Sequence, residues 1–258
     1  MPANYAHYRF GVRALAQMSP DLQRPIQRFR RMYDMGLHGP DLFLYDGLWT
    51  QTALMRFGRQ LHGQSGREFF TGVCDILKTE PTEAGRAYLY GLLCHYCLDS
   101  VCRPLVLAEA APGDFTPAEM ETEFDRFLLK MDGLVPPHTQ NFSNHMKLTR
   151  GECVTAAKFY PTVSPEDIHR CVKNMAISTR ILAQKNRNMQ GILLKLLPKR
   201  FSANRMLPYP NKKCGRLDKV MLELYEHAFD KFPTMVEQFA AHLDYNAPLG
   251  EEFDNIFG

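Results

Sequence analysis

The chain of 258 residues is 45% hydrophobic and 11% aromatic, enough apolar surface for one large core, and no stretch reads as an interdomain linker, so a single domain spanning 1–258 is expected. Its amino terminus, MPANYAHYRFGVRALAQ, has neither the apolar core of a signal peptide nor the length of a membrane span, which argues against a leader or anchor and predicts a cytoplasmic protein. The net charge of +3 is too small to argue for a nucleic-acid partner, and the seven cysteines lack a C-x-x-C…C-x-x-C frame, so they read as reduced core thiols.

Helical periodicity dominates from end to end, and no alternation lasts long enough to build a sheet; the fold class is all-α, a compact multi-helix domain. In chain order, Ser19-Pro20 places a capping hydroxyl before a proline at the first helical position. GLHGPD (36–41) interrupts the pattern, and SGRE at Ser65 to Glu68 reads as a capping box that starts a helix just after His62. A long periodic run follows over about 82–110. Thr116-Pro117 with Glu119 opens a helix over 117–131, and Ser164-Pro165 with Asp167 opens another over 165–197. The last runs over 216–243. Gly, Pro and Asn concentrate between these segments at 133–145 and 207–215.

Charge is uneven. Residues 184–219 hold ten Lys/Arg and Asp218 as the one acid, a net +9 that leaves −6 for the rest. The stretch contains ILLKLLPKRF, edged by Lys195, Lys199 and Arg200. Such a segment fits peripheral contact with an anionic membrane surface or with phosphates, although a solvated helix end followed by a basic loop is the commoner origin of such a charge run.

Five titratable residues invite a chemical reading. His95 and Asp99 are four apart in HYCLDSVCRP, so on a helix they reach one point from neighbouring turns. The same spacing also describes a buried histidine satisfied by its own aspartate. His7 lies in YAHYRFG, Asp41 in HGPDLFLY and His62 in RQLHGQSGREFF. Each has a structural alternative: an aromatic contact for His7, a helix N-cap for Asp41, a helix C-terminal cation for His62. Arg103 stands one further turn beyond Asp99, either as a phosphate-binding guanidinium or as a solvated helix-end arginine.

Taken together, AHYRFG (6–11), GPDLFLY (39–45), LHGQSGREFF (61–70), GLLCHYCLD (91–99) and ETEFDRFLL (121–129) resemble, in order, the zinc-dependent phospholipase C family in its short cytoplasmic bacterial branch. The resemblance covers about half of the chain. It implies an all-helical fold of the zinc-dependent phospholipase C and P1 nuclease type with up to three zinc ions. Asp41, His62, His95 and Asp99 match the ligands of one zinc, and His7 matches a ligand of a second that Asp99 would bridge to the first. For the third ion only Glu121 matches, since Arg103 and Pro117 stand where the family has histidines; His138, His145 or Cys102 are alternative donors. One or two zinc ions are therefore expected. Two imidazoles and two carboxylates suit Zn²⁺, with Fe²⁺ or Mn²⁺ as alternatives.

The activity so implied is hydrolysis of a phosphodiester, with phospholipid among the candidate substrates, Asp41 and Asp99 as the catalytic carboxylates and Arg103 supplying the charge of the lost ion. Two other functions fit the same residues. One is a non-catalytic lipid- or protein-interaction module stapled by metal; the other is a phosphatase or nuclease on the same fold.

Overall fold

The computed structural model describes residues 4–47, 50–183, 206 and 208–257. Among the described residues there are ten α-helices: α1 (Asn4–Gln17), α2 (Pro20–Arg28), α3 (Arg30–Gly36), α4 (Ala53–His62), α5 (Gly66–Thr79), α6 (Glu83–Ala110), α7 (Pro117–Met131), α8 (Arg150–Ala157), α9 (Pro165–Leu182) and α10 (Asp218–Tyr245). Among the described residues there is no strand, only an isolated bridge between Ser65 and Ile256. The architecture is all-α.

The sequence explains most of the boundaries. At Thr116 and Ser164 the side chain accepts from the backbone N–H three residues on, while Glu119 and Asp167 reach back to the cap, as the capping boxes require. Thr149 and Glu152 form a third box at α8. Ser19 and Ser65 also occupy N-cap positions, but neither hydroxyl bonds the helix it precedes. Ser65 faces the carbonyl of Phe253 instead, and the Gly66 N–H donates to Asn255 O at 2.8 Å. The α9 helix is described as far as Leu182; its expected continuation to 197, and ILLKLLPKRF, lie outside the described residues.

The central element is α6. From Ala87 to Asp99 every side chain is buried, so this helix is surrounded by protein. Leu92, Leu93, Tyr96 and Leu98 are all completely covered. One neighbour, α3, lies so near that a methyl at Gly91 would fall 2.2 Å from Tyr33 O, a contact only glycine permits. On another side α10 packs Phe232 and Phe239 into the core, where Phe10 of α1 meets Phe232 and Tyr225 edge to face. All seven cysteines are free and buried. No helix among the described residues is long and apolar enough to cross a membrane.

Candidate metal centre

Several of the polar exceptions to this core collect around one place. His7, Asp41, His62, His95, Asp99 and Glu121 are all buried, and they arrive from five segments. His7 is on the inner face of α1. Asp41 lies in a 3₁₀ turn, Gly39–Tyr45, that follows α3. His62 ends α4, His95 and Asp99 are one turn apart on α6, and Glu121 is on α7.

Two groups of three ligand atoms result, each within 4.8 Å of one another: His7 with His95 and Asp99, and Asp41 with His62 and His95. Five of the six residues picked out in the sequence as ligands thus converge. The ring common to both groups is that of His95, and Asp99 is grouped with His7. Glu121 belongs to neither group but lines the adjoining cavity, as do Asp41 and His138.

Hydrogen bonds set the histidine tautomers. His95 Nδ1 lies 3.2 Å from Leu37 O and His62 Nδ1 lies 2.7 Å from Gly58 O. A carbonyl only accepts, so each Nδ1 carries its hydrogen and each Nε2 turns inward; backbone carbonyls commonly orient metal-binding histidines in this way. His62 Nε2 then sits 2.9 Å from Asp41 Oδ1. A lone pair and a carboxylate oxygen approach that closely only with a positive centre between them, either a proton or a metal ion.

On the other side, His7 Nε2 is 3.2 Å from Asp99 Oδ1 and His95 Nε2 is 3.5 Å from Asp99 Oδ2. The orientations do not make hydrogen bonds of these contacts: His7 Nδ1 and Nε2, His95 Nε2 and both Asp99 oxygens are buried with no hydrogen-bond partner. Each such buried atom costs on the order of 1–3 kcal/mol, and His7 Nε2, His95 Nε2 and the two Asp99 oxygens, which lie close together, suit a shared cation.

The field of the site has the same sense. Burial, then the neighbouring His7, drives the pKa of His95 down to about 3, so its ring is neutral and able to ligate. Burial opposes ionisation of Asp99, but the His95 and His7 imidazoles overcome it and hold the carboxyl well below the usual range. Asp41 is likewise held below its ordinary value against burial, by His62 and His95.

Beside this centre is a cavity of about 110 Å³. Asp41, Glu121 and Asp125 make its acidic wall and Tyr45 and Phe142 an aromatic one, and among the described residues no Lys or Arg lines it. Asp125 also accepts from the N–H groups of Tyr5 and Ala6, both at 2.8 Å, and so holds the first turn of α1 that carries His7.

Other candidates lie elsewhere. Arg103 is half-buried; it does not line the cavity, and its Nε has no hydrogen-bond partner. Cys102 is a covered thiol whose pKa burial pushes up. His145 pairs with His38, Nε2 to Nε2 at 2.9 Å, and stacks on Tyr8. The sequence reading passed over His38, whose environment depends on a residue 107 positions away. Asp125 had a signal: it lies four residues after Glu121, on the same helix face.

No family model matches the chain, and neither the curated proteins nor the solved structures contain a match.

Proposed function

We propose that the chain is a metal-dependent phosphodiester hydrolase of the zinc-dependent phospholipase C type, working with one or two ions at the centre around His95. The observation that carries the reading is the His62–Asp41 contact. With Nδ1–H committed to Gly58 O, Nε2 and a carboxylate oxygen 2.9 Å apart require a shared proton or metal ion, and the partnerless His95 Nε2 and Asp99 oxygens beside them favour the metal. The donor set of imidazoles and carboxylates suits zinc.

When bound, zinc supplies Lewis acidity toward a phosphoryl oxygen and makes water more acidic. The chain's own residues do the rest. Leu37 O and Gly58 O fix the two rings, Asp41 and Asp99 bring the negative charge that retains cations, and Tyr45 and Phe142 cover part of the approach. The three carboxylates in the lining repel the single negative charge of a phosphodiester. Phosphate esters therefore enter the cavity only when cations offset Asp41, Glu121 and Asp125. Arg103 stands one helical turn beyond Asp99 but outside the cavity lining, so its guanidinium takes part only for a substrate that extends past the centre.

The test is turnover of a soluble chromogenic phosphodiester by zinc-loaded and chelated protein. Activity that depends on zinc and is lost in Asp41→Asn supports the reading. Zinc-replete, folded protein inert on diesters, monoesters and nucleic acid alike would instead favour a metal-stapled interaction module.

A further inference from the structure

The segment that closes one side of the cavity also carries an exposed apolar tip. Most large hydrophobic side chains that reach solvent in this protein stand singly, which is ordinary for a soluble surface. Three lie within five residues of one another: Met131 at 51%, Leu134 at 37% and Val135 at 62% exposure, followed by the exposed Pro136. Clustered exposure of this kind marks an interaction surface.

The base of the same segment is anchored. Phe142 packs on Tyr5 with ring centroids 4.7 Å apart, Met146 is buried, and His145 is held between Tyr8 and His38. The apolar side chains are therefore presented outward by a fixed frame.

Two further features select the kind of partner. First, the backbone at the tip keeps its donors to itself. The N–H groups of Asp132, Gly133, Leu134 and Val135 bond to Leu128 O, Lys130 O, Leu129 O and Gly133 O. Pro136 and Pro137 have no N–H to offer. Gly133, at φ +73, makes the turn that allows this. A segment whose donors are internally satisfied loses little on leaving water, which is the condition for entering an apolar medium.

Second, the charges suit an anionic surface. Asp132 is neutralised by Arg9, whose Nε and second terminal nitrogen bond its two oxygens at 2.7 and 3.0 Å, and by Tyr5 Oη at 2.6 Å. Lys130 is exposed and makes no ion pair among the described residues. The tip thus offers apolar groups and the exposed Lys130 at the rim, where lysine extends toward headgroups.

We propose that Met131, Leu134, Val135 and Pro136 form an insertion tip that docks the protein on an anionic lipid surface, next to the cavity lined by Pro137, His138, Gln140 and Phe142. The proposal requires no turnover and no metal.

The experiment measures sedimentation of the full chain with vesicles of phosphatidylcholine mixed with phosphatidylserine. The parent is compared with a double variant, Leu134→Asp and Val135→Asp, and with Val135→Trp. The parent is expected to partition onto the vesicles, and the double variant, with unchanged circular dichroism, to lose at least about tenfold in partition coefficient, in keeping with losing two apolar anchors. Val135→Trp is expected to shift its emission to the blue on vesicles and to be quenched by lipids brominated in the acyl chain, with the parent's single tryptophan as reference. Partition is read with chelated and with zinc-loaded protein. Equal binding in both supports the tip, whereas binding that appears only with zinc belongs to the metal centre and overturns the proposal. A parent that leaves vesicles unbound, as a tip built for a protein partner would, overturns it too. So does a double variant that binds like the parent.

Discussion

Replacing Gly39 by alanine perturbs the centre without removing any ligand. Gly39 has φ +47, and a methyl built on it lies 2.5 Å from His95 Cδ2, 2.7 Å from Cγ and 2.9 Å from Nε2. Either the ring or the turn must yield by about 1 Å to restore van der Waals separation. The ring has little freedom: it is completely buried, bonded through Nδ1 to Leu37 O, and stacked on His7 at 4.2 Å. The left-handed backbone costs about 1 kcal/mol for alanine and the overpacking about 1–3 kcal/mol, so the variant should lose about 2–4 kcal/mol. For a chain of this size that corresponds to a drop of roughly 4–16 °C in Tm. A ring displaced by ~1 Å also misses a zinc bond of ~2 Å, so bound zinc should fall although every ligand remains. Calorimetry on chelated protein gives the stability term, and repeating it in a His95→Ala background isolates the contact. There the methyl meets no ring, and only the backbone term of about 1 kcal/mol should persist. Equal losses in the two backgrounds would refute the reasoning, because the cost would then not arise at His95.

Chelation should lower the Tm of metal-loaded protein, by the equivalent of about 4 kcal/mol if free zinc stood a thousandfold above Kd, and His62→Ala should abolish the response; melting curves indifferent to chelator would count against a bound ion. Burial pushes the Asp125 pKa up to about 7, over the opposing backbone hydrogen bonds from Tyr5 and Ala6. Because the folded value lies above the ordinary one, the folded state binds the extra proton, and stability should decline as pH rises from the usual aspartate range through about 7. Urea midpoints across that range should show a smaller decline in Asp125→Asn, and an unchanged slope would remove Asp125 as its source. Arg103→Lys should keep the metal content and lose turnover on a soluble phosphodiester that extends past the centre, since the planar fork is gone. Turnover unaltered in Arg103→Ala would exclude the guanidinium from the chemistry.

What the sequence revealed and what it hid divide along the range of the interactions. The boxes at Thr116 and Ser164 close within three residues, so their helices start where the residues indicate. Ser65 has the same local pattern, yet its helix start is satisfied by Phe253 and Asn255 through contacts spanning about 190 residues, which no window of sequence contains. At the centre, His95 and Asp99 were legible because a helix places positions four apart on one face. The division of ligands was not. Whether Asp99 meets His7 or Asp41 depends on how α1 and the Gly39–Tyr45 turn dock against α6, and the docking makes His95 the shared ring. His38 looked like part of a chain break in GLHGPD; its pairing with His145 emerges only once the two loops are folded together.

The buried His/Asp cluster is proposed to hold a metal ion. Elemental analysis of protein purified without chelator, with zinc titrated into a chelated sample, tests it most directly. At least one zinc per chain is expected, with binding lost in His95→Ala and Asp99→Asn variants that remain folded. A folded parent that contains no transition metal as isolated and takes up none on titration would contradict the claim.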